Sequence, residues 1–206
     1  VPLYIRYQGH LIPQMGFKAA CDRLGLDSRS VVFSKNRVVI DNKLFIPVLK
    51  GGIFPVNYPG KWVSSFKHFS YFEILKSYTQ KVEGRQQDID LSQLKDKICF
   101  IGLTASGTSD FQPVPLENNY PLVGLQAGIA NSILLQNFIR PASASANVLT
   151  ALLLFALSIL ACLRLPPLRA LLTNTLLGGA YFTLAVALFS FAGYWLDLFL
   201  PLLVIL

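Results

Sequence analysis

The residues best suited to contact a ligand lie in the loop TASGTSD, which directly follows an apolar run. They are Thr104, Ser106, Gly107, Ser109 and Asp110. Small residues let backbone N–H groups approach an anion, and ligands of open α/β sheets often bind beyond the ends of strands. The loop lacks the Gly-Lys-Ser/Thr ending of a nucleotide-phosphate loop. It therefore predicts a ligand site of another kind, with a tight strand-to-helix turn as the simpler interpretation.

Catalytic and metal chemistry need more residues than the sequence offers. A serine nucleophile requires a base and an orienting acid, and only His10 and His68 could be the base. His68 lies in an aromatic-rich run, where a structural role fits better. Two isolated histidines do not have metal-ligand spacing. We therefore predict no catalytic residue, no metal site and no cofactor.

The elements that must position the loop lie on either side of it. The run ICFIGL at 98–103 is continuously apolar, which is typical of a strand covered on both faces. The region Leu122–Ile139 predicts a helix. Strand, loop and helix in succession favour an α/β fold, a mixed sheet with flanking helices. One side of the helix would present Leu125, Ile129, Ser132, Ile133 and Gln136.

The first part of the chain predicts short elements separated by turn residues. We expect a strand at Leu3–Tyr7 and a helix in MGFKAACDRLGL that stops at Gly25. A second helix is expected at Ser64–Leu75, with Ser70 and Glu73 spaced as a capping box. The remaining short β-rich pieces predict a meander of hairpins at 31–33, 37–40, 44–46 and 53–58.

Charge is distributed unevenly along the chain. From Asn147 onward the charged residues are Arg164, Arg169 and Asp197, whereas the whole chain has 18 basic and 11 acidic residues. The net charge of +7 is scattered rather than clustered, and the sequence contains no nucleic-acid-binding module. We therefore predict membrane lipid, and not nucleic acid, as the partner of this cationic surface.

The C-terminal part predicts a multi-pass membrane region, 147–206, with spans at about 147–163, 170–191 and 196–206, the last truncated. Arg164 and Arg169 flank a Pro-Pro pair in a very short loop, and the positive-inside rule places that loop in the cytoplasm. Arg140 is a single opposing charge. Residues 1–146 are then predicted to be extracytoplasmic.

Three cysteines are too few for a disulfide framework. Cys162 lies in an apolar span, where a thiol behaves as a small hydrophobe. One bridge between Cys21 and Cys99 and two buried free thiols both remain open.

Longer stretches around the loop resemble a known family. KDKICFIGLTASGTSDFQPVPLENNYPLVGLQAGIANSIL is similar to the C-terminal signature of the second type of CHASE domain, an extracellular sensory domain. FPVNYPG and FSYFEIL resemble its earlier elements. The resemblance implies a sensor domain over 1–141 whose N-terminal part, including a membrane span, is missing. The matching residues are Ile101, Gly102, Gly107, Asp110, Pro115, Pro121, Gly124, Ala127, Asn131 and Leu134.

The sequence departs from the family pattern at two positions. Gln126 stands where the family usually has His, and Gly128 where it has Asn. If that trio binds ligand, Gln126 joins the candidate ligand-binding residues. If it serves helix packing or capping, Gln is tolerable because it keeps a donor and an acceptor. We favour the second interpretation.

The resemblance implies a receptor that binds an unknown small molecule and controls a cytoplasmic effector in the same chain. A class III adenylate or guanylate cyclase is expected, in a bacterial inner membrane and as a homodimer. A histidine or Ser/Thr kinase, a membrane-tethered extracytoplasmic enzyme and a transporter component are the alternatives. Coupling would pass through the short linker PASASA that begins at Pro141.

Overall fold

A computed structural model describes residues 1–104 and 110–205, which form an α/β domain followed by a helical region. The mixed α/β class predicted from the sequence is confirmed. The single mixed sheet is not, because the strands within the described residues form four separate small sheets. Three of these are antiparallel, and the last is a short parallel pair.

The chain begins with an antiparallel hairpin of β1 (Tyr4–Tyr7) and β2 (His10–Pro13). Gln8 and Gly9 connect the strands, and both have positive φ. This is the geometry that a two-residue hairpin turn requires. The predicted first strand is confirmed.

Helix α1 (Met15–Arg23) follows the hairpin, as predicted. The side chain of Gln14 caps its N-terminus by accepting a hydrogen bond from the backbone N–H of Phe17, at 2.9 Å. The chain leaves the helix through Gly25, which has a φ of +65°. A left-handed glycine just beyond the last turn is a common helix stop.

The predicted meander is confirmed for its central strands, β3 (Val31–Ser34), β4 (Arg37–Ile40) and β5 (Leu44–Pro47). They pair in order as an antiparallel sheet. Asp41 and Asn42, both with positive φ, form the turn between β4 and β5.

The strand predicted at 53–58 is wrong. Ile53 forms only isolated bridges, with Pro2 and Leu49, and the rest of the stretch is irregular. Pro55 interrupts this stretch and Pro59 follows it, and neither has a backbone N–H to donate to a neighbouring strand.

The helix predicted at Ser64–Leu75 is also wrong in its bounds. The structure has a short α2 (Trp62–Ser65) and then α3 (Tyr71–Val82). The residues between them are not helical, because Phe66 and His68 pack back against the ring of Trp62. Ser70 precedes α3, but its side chain makes no capping hydrogen bond, so the capping box is not formed. A single 3-10 turn follows at Leu91–Leu94.

The buried strand predicted at 98–103 is absent from the described residues. Ile101 and Leu103 are 74% and 62% exposed. The segment contacts the following helix through Gly102 and Val123, and none of the described strands pairs with it. Phe100 packs against the core, while alternate residues face outward.

After the loop, β6 (Phe111–Val114) and β7 (Glu117–Pro121) form a hairpin that leads directly into α4 (Leu122–Leu134). The helix predicted to reach Ile139 therefore ends five residues earlier. Gln136 adopts a left-handed φ of 51°, which α-helix cannot accommodate.

The core of the domain lies between α1, α4 and the β3–β5 sheet. Ile129 and Ile133 of α4 are fully buried, and Ser132 is 1% exposed, as the predicted helical face requires. They pack in one cluster with Leu3, Phe17, Ala20, Cys21, Val38, Ile40, Leu44, Ile46, Val48, Phe54, Ala130 and Phe138.

The C-terminal region begins with β8 (Arg140–Pro141) and α5 (Ala144–Arg164). Helix α6 (Pro167–Ala192) runs antiparallel to α5. It is followed by β9 (Tyr194–Trp195) and by α7 (Phe199–Ile205), which ends the described chain. Among the described residues, α5 and α6 are long and apolar enough to cross a membrane.

The third span, predicted at 196–206, corresponds to the seven residues of α7. The proposed division into domains 1–141 and 147–206 stays a prediction.

Candidate functional site

Only the two ends of the predicted ligand loop, Thr104 and Asp110, belong to the described residues. Thr104 is exposed, and Asp110 is half-buried. The backbone carbonyl of Asp110 accepts a hydrogen bond from the N–H of Leu122, at 2.8 Å, which ties the end of the loop to the first turn of α4. Ser106, Gly107 and Ser109 lie outside the described residues. The role of this loop in ligand binding stays a prediction.

Gly102 brings the chain before the loop into close contact with α4. A Cβ at this position would lie 2.6 Å from the Cβ of Val123, so only glycine permits the observed approach. The two ends of the loop are therefore both held against the first turn of α4.

Gln126 lies one helical turn further along α4, on the side that faces α1. Its Oε1 atom accepts a hydrogen bond from the N–H of Gly16, at 2.9 Å, and another from the side-chain amide of Gln14. Gln14 in turn caps α1. The side chain of Gln126 thus joins the two central helices, as the packing and capping interpretation expects. A ligand contact by Gln126 stays a prediction.

An aromatic cluster, defined by Tyr58, Trp62, His68 and Tyr120, was missed by the sequence interpretation. The Trp62 ring lies 4.1 Å from the His68 ring and 6.1 Å from the Tyr120 ring, and Tyr58 lies 5.3 Å from Tyr120. Gly124 of α4 permits this packing, because a Cβ there would lie within 3 Å of the Trp62 and Tyr120 rings.

The aromatic cluster is joined to the β6–β7 hairpin by a polar contact. The backbone N–H of Trp62 donates a hydrogen bond of 2.6 Å to Oε2 of Glu117. The cluster therefore holds α2, β7 and α4 together. In the sequence, the aromatic cluster is indicated only by the aromatic residues between 58 and 68 and by Tyr120. Their spacing follows no regular period, so it does not predict that they pack together.

The hydroxyl of Tyr120 is the unusual group in the aromatic cluster. Tyr120 is 1% exposed, and its hydroxyl has no hydrogen-bond partner among the described residues. Burial, followed by the neighbouring Tyr58 and Glu117, raises the pKa of Tyr120 to about 12. The hydroxyl is therefore neutral at physiological pH and can donate or accept a hydrogen bond, but it is no acid–base catalyst there.

The described part of the chain forms neither a metal-ion cluster nor a disulfide bridge. No group of three or more His, Cys, Asp and Glu residues there has the geometry to hold a metal ion. Cys21 and Cys99 are both free, Cys21 buried and Cys99 exposed, so the bridge left open by the sequence is not formed.

A second feature lies where the domain meets the helices. Strand β8 pairs in parallel with β9, so that Arg140 lies opposite Tyr194 and Pro141 opposite Trp195. The N–H of Arg140 donates to the carbonyl of Gly193 at 2.8 Å. The exit of the α/β domain is thereby bonded to the connection between α6 and α7.

These features together define a class: an α/β domain anchored by membrane-length helices. A family model described as the CHASE2 domain matches residues 2–163, which is more than half of the chain. The chain therefore belongs to the CHASE2 domain family, as the resemblance indicated. CHASE2 is an extracellular sensory domain of signalling receptors and is not catalytic. No curated protein and no solved structure shows a significant match.

Proposed function

We propose that this chain is the sensing and anchoring part of a multi-pass receptor in a bacterial inner membrane. A small molecule binds the sensor domain, and the cytoplasmic effector is a class III adenylate or guanylate cyclase in the same chain. The receptor works as a homodimer. The observation that carries this proposal is the bonded junction of β8 and β9, together with membership of a family of extracellular sensory domains.

The helical hairpin supports the orientation. Since α6 returns to pair through β9 with the exit of the sensor domain, the turn between α5 and α6 lies at the far end of the hairpin. Arg164 and Arg169 flank that turn, and short loops rich in arginine are retained in the cytoplasm. At 1.5 Å per residue, the 21 residues of α5 are about 30 Å long, which matches the hydrocarbon core.

A signal has a direct route from the core to the membrane. Phe138 is 6% exposed and packs edge-on against Phe54, with ring centres 6.1 Å apart. Two residues later the chain forms β8, and the N–H of Ala142 donates to the carbonyl of Trp195 at 2.9 Å. A shift of Phe138 therefore moves the start of α5 and the end of α6 together.

Two places remain candidates for the ligand. One is the start of α4, with Thr104, Asp110 and Gln126. The other is the aromatic cluster, because the buried hydroxyl of Tyr120 lacks a protein partner among the described residues. A ligand that supplied a hydrogen bond there would remove the cost of an unsatisfied buried group. Both candidates contact α4, whose far end leads to Phe138.

The test removes one hydrogen bond of the junction. Ala142→Pro deletes the N–H that donates to Trp195, whereas Ala144→Pro places proline at the first residue of α5, where proline is tolerated. Cyclic-nucleotide production by the full-length receptor is measured in cells that lack their own cyclase. We expect Ala142→Pro to change the basal output severalfold and Ala144→Pro to leave it near the original level.

Equal output from both variants, with normal membrane insertion, would rule out coupling through the junction. If the receptor produces no cyclic nucleotide but transfers phosphate from ATP to protein, the effector is a kinase and not a cyclase. The sensing role of the domain would be unaffected by that result.

A further inference from the structure

An open groove of about 950 Å³ lies between the β3–β5 sheet and the beginning of α5. One wall comes from β4, β5 and their flanking turns. The other wall comes from the chain between Gln136 and Asn147, which includes β8 and the first turn of α5. The groove is thus formed where the sensor domain meets the membrane helices, and it is separate from α4's first turn and from the aromatic cluster.

The groove is strongly basic. Among its described lining residues none is Asp or Glu, and five are cationic. Lys43 pairs with Asp41 at 3.2 Å, whereas the ion pairs found in the described part of the chain leave out the other four. The five cationic residues are Lys35, Arg37, Lys43, Lys50 and Arg140.

The N-terminus of α5 adds to this positive potential. Ser143, Ala144 and Ser145 line the groove, so the positive end of the helix dipole lies beside the cations. The first turn of α5 contains no acidic residue to oppose it. Ser143 caps the helix by accepting from the N–H of Ala146 at 3.1 Å, which fixes the direction of the first turn.

The position of the groove beside α5 indicates the class of ligand that it binds. Its second wall continues into the membrane-length helix α5, so the groove lies at the depth of lipid headgroups. Phe45 is 52% exposed beside it, and the Arg37 guanidinium lies 5.6 Å from the centre of the Phe45 ring. Aromatic and basic side chains side by side are typical of a membrane interface.

We propose that this groove binds the phosphate headgroup of an anionic phospholipid from the leaflet on the side of the sensor domain. The bound lipid holds the sheet and the start of α5 together, so membrane composition sets the geometry of the junction. The site requires only that α5 crosses a membrane. It is independent of the orientation, ligand and effector given under the proposed function.

The test uses the full chain reconstituted in phosphatidylcholine vesicles that contain a variable fraction of phosphatidylglycerol. Trp195, which pairs with Pro141 of the groove wall, is 51% exposed and reports nearby lipid when either lipid is brominated and quenches its fluorescence. We expect a relative association constant for phosphatidylglycerol over phosphatidylcholine of about tenfold or more, because each interfacial cation strengthens binding to anionic lipid.

Charge variants decide where that preference arises. A triple variant of the groove should lower the relative association constant for phosphatidylglycerol to near one; its substitutions are Arg37→Gln/Lys50→Gln/Arg140→Gln. Two controls should keep it: Arg37→Lys/Lys50→Arg/Arg140→Lys, which preserves the charge, and Arg23→Gln/Lys81→Gln/Lys97→Gln, which removes three exposed cations elsewhere. Equal quenching of Trp195 by brominated phosphatidylcholine in the original chain and in all three variants verifies that the helices are inserted and the junction is in place.

Three results would overturn the proposal. The original chain could show no preference for phosphatidylglycerol, or the variant with the distant substitutions could lose the preference as fully as the groove variant. The preference could also disappear in inorganic phosphate at an ionic strength matched with chloride, which would assign the groove to a soluble anion instead of a lipid.

Discussion

The sensor domain and the helical hairpin contain similar apolar side chains but place them in opposite ways. In the sensor domain they converge on one closed cluster between two helices and a sheet. In α5 and α6 only 22% and 11% of the most apolar stretch is buried, and most leucines face outward. The first region is therefore stabilised by removing apolar surface from water, whereas the second leaves its apolar surface facing outward, as helices long enough to cross a membrane would.

The same contrast holds for close helix packing. A Cβ on Gly16 would overlap the backbone carbonyl of Gln126, so α1 and α4 touch through their main chains. In α6, a Cβ added to Gly178 would lie 3.8 Å from Leu202, and a Cβ added to Gly179 would have no neighbour within 4 Å among the described residues. The small residues of the hairpin thus have room that those of the sensor domain lack.

The largest expected effect concerns which side of the membrane each region contacts. Cys99 is exposed in the sensor domain, Cys21 is buried and Cys162 lies in α5. In intact spheroplasts a membrane-impermeant maleimide should label Cys99 almost completely. Cys21 should not react because the core covers it, and burial raises the pKa of its thiol to about 11, which keeps it protonated.

The Cys99→Ala variant is the control and should show almost no label before lysis. Label that appears only after lysis would place the sensor domain in the cytoplasm and would contradict the orientation of the proposed receptor.

The next effect compares two apolar truncations. Ile129→Ala removes a fully buried side chain from the core and should lower the free energy of unfolding by about 2–5 kcal/mol. Leu153→Ala on α5, where Leu153 is 60% exposed, should cost much less in lipid because its side chain leaves no protein cavity.

Each region contains one of the two tryptophans, so the comparison can be measured in one chain. Urea unfolding in detergent micelles is followed through Trp62 for the sensor domain and through Trp195 for the hairpin, with the other tryptophan replaced by Phe. Equal losses from the two variants would mean that the hairpin has a protein-like core and would remove the contrast.

Local patterns in the sequence were sufficient for elements that form from neighbouring residues. The hairpins of the β3–β5 sheet, helix α1 and the two helices of membrane-spanning length follow from turn residues, periodicity and length. The segment 98–103 was predicted wrongly because its apolar run cannot indicate whether a strand or a helix lies beside it. In the structure α4 is that neighbour, through Gly102 and Val123.

The candidate sites show the same limit. The resemblance to the family directed attention to Gln126, but the sequence could not indicate that its side chain bonds to Gly16 and Gln14, which lie 110 and 112 residues away along the chain. The aromatic cluster combines Tyr58, Trp62 and His68 with Tyr120 of β7, more than 50 residues further along the chain, so no single stretch of sequence indicates it.

A smaller effect is expected from adding one methyl group in each region. Gly16→Ala should destabilise the sensor domain by about 1–3 kcal/mol, because α1 must move away from the backbone of α4. Gly179→Ala adds the same methyl group to open space in α6 and should be neutral or slightly stabilising. The midpoint and slope of urea unfolding check both variants. A neutral Gly16→Ala would mean that α1 can move away from α4 at little cost, and the contrast with α6 would be lost.

The smallest effect concerns polar contacts. Gln126→Ala removes the acceptor of the Gly16 N–H and should cost about 1 kcal/mol, because the freed donors are half-buried and regain water only in part. In the hairpin, Thr150→Ala removes a bond from the Thr150 hydroxyl to the carbonyl of Ala146 within one helix and should change little.

The variant Gln126→His tests whether a hydrogen-bond acceptor at this position is what joins α4 to α1. An imidazole nitrogen can still accept the Gly16 N–H, so a capping role predicts that His restores most of the stability lost in Gln126→Ala. The same urea titration measures this recovery. If His were as destabilising as Ala, an acceptor at this point would not be what holds α1 to α4, and the contact would depend on the shape of the glutamine side chain.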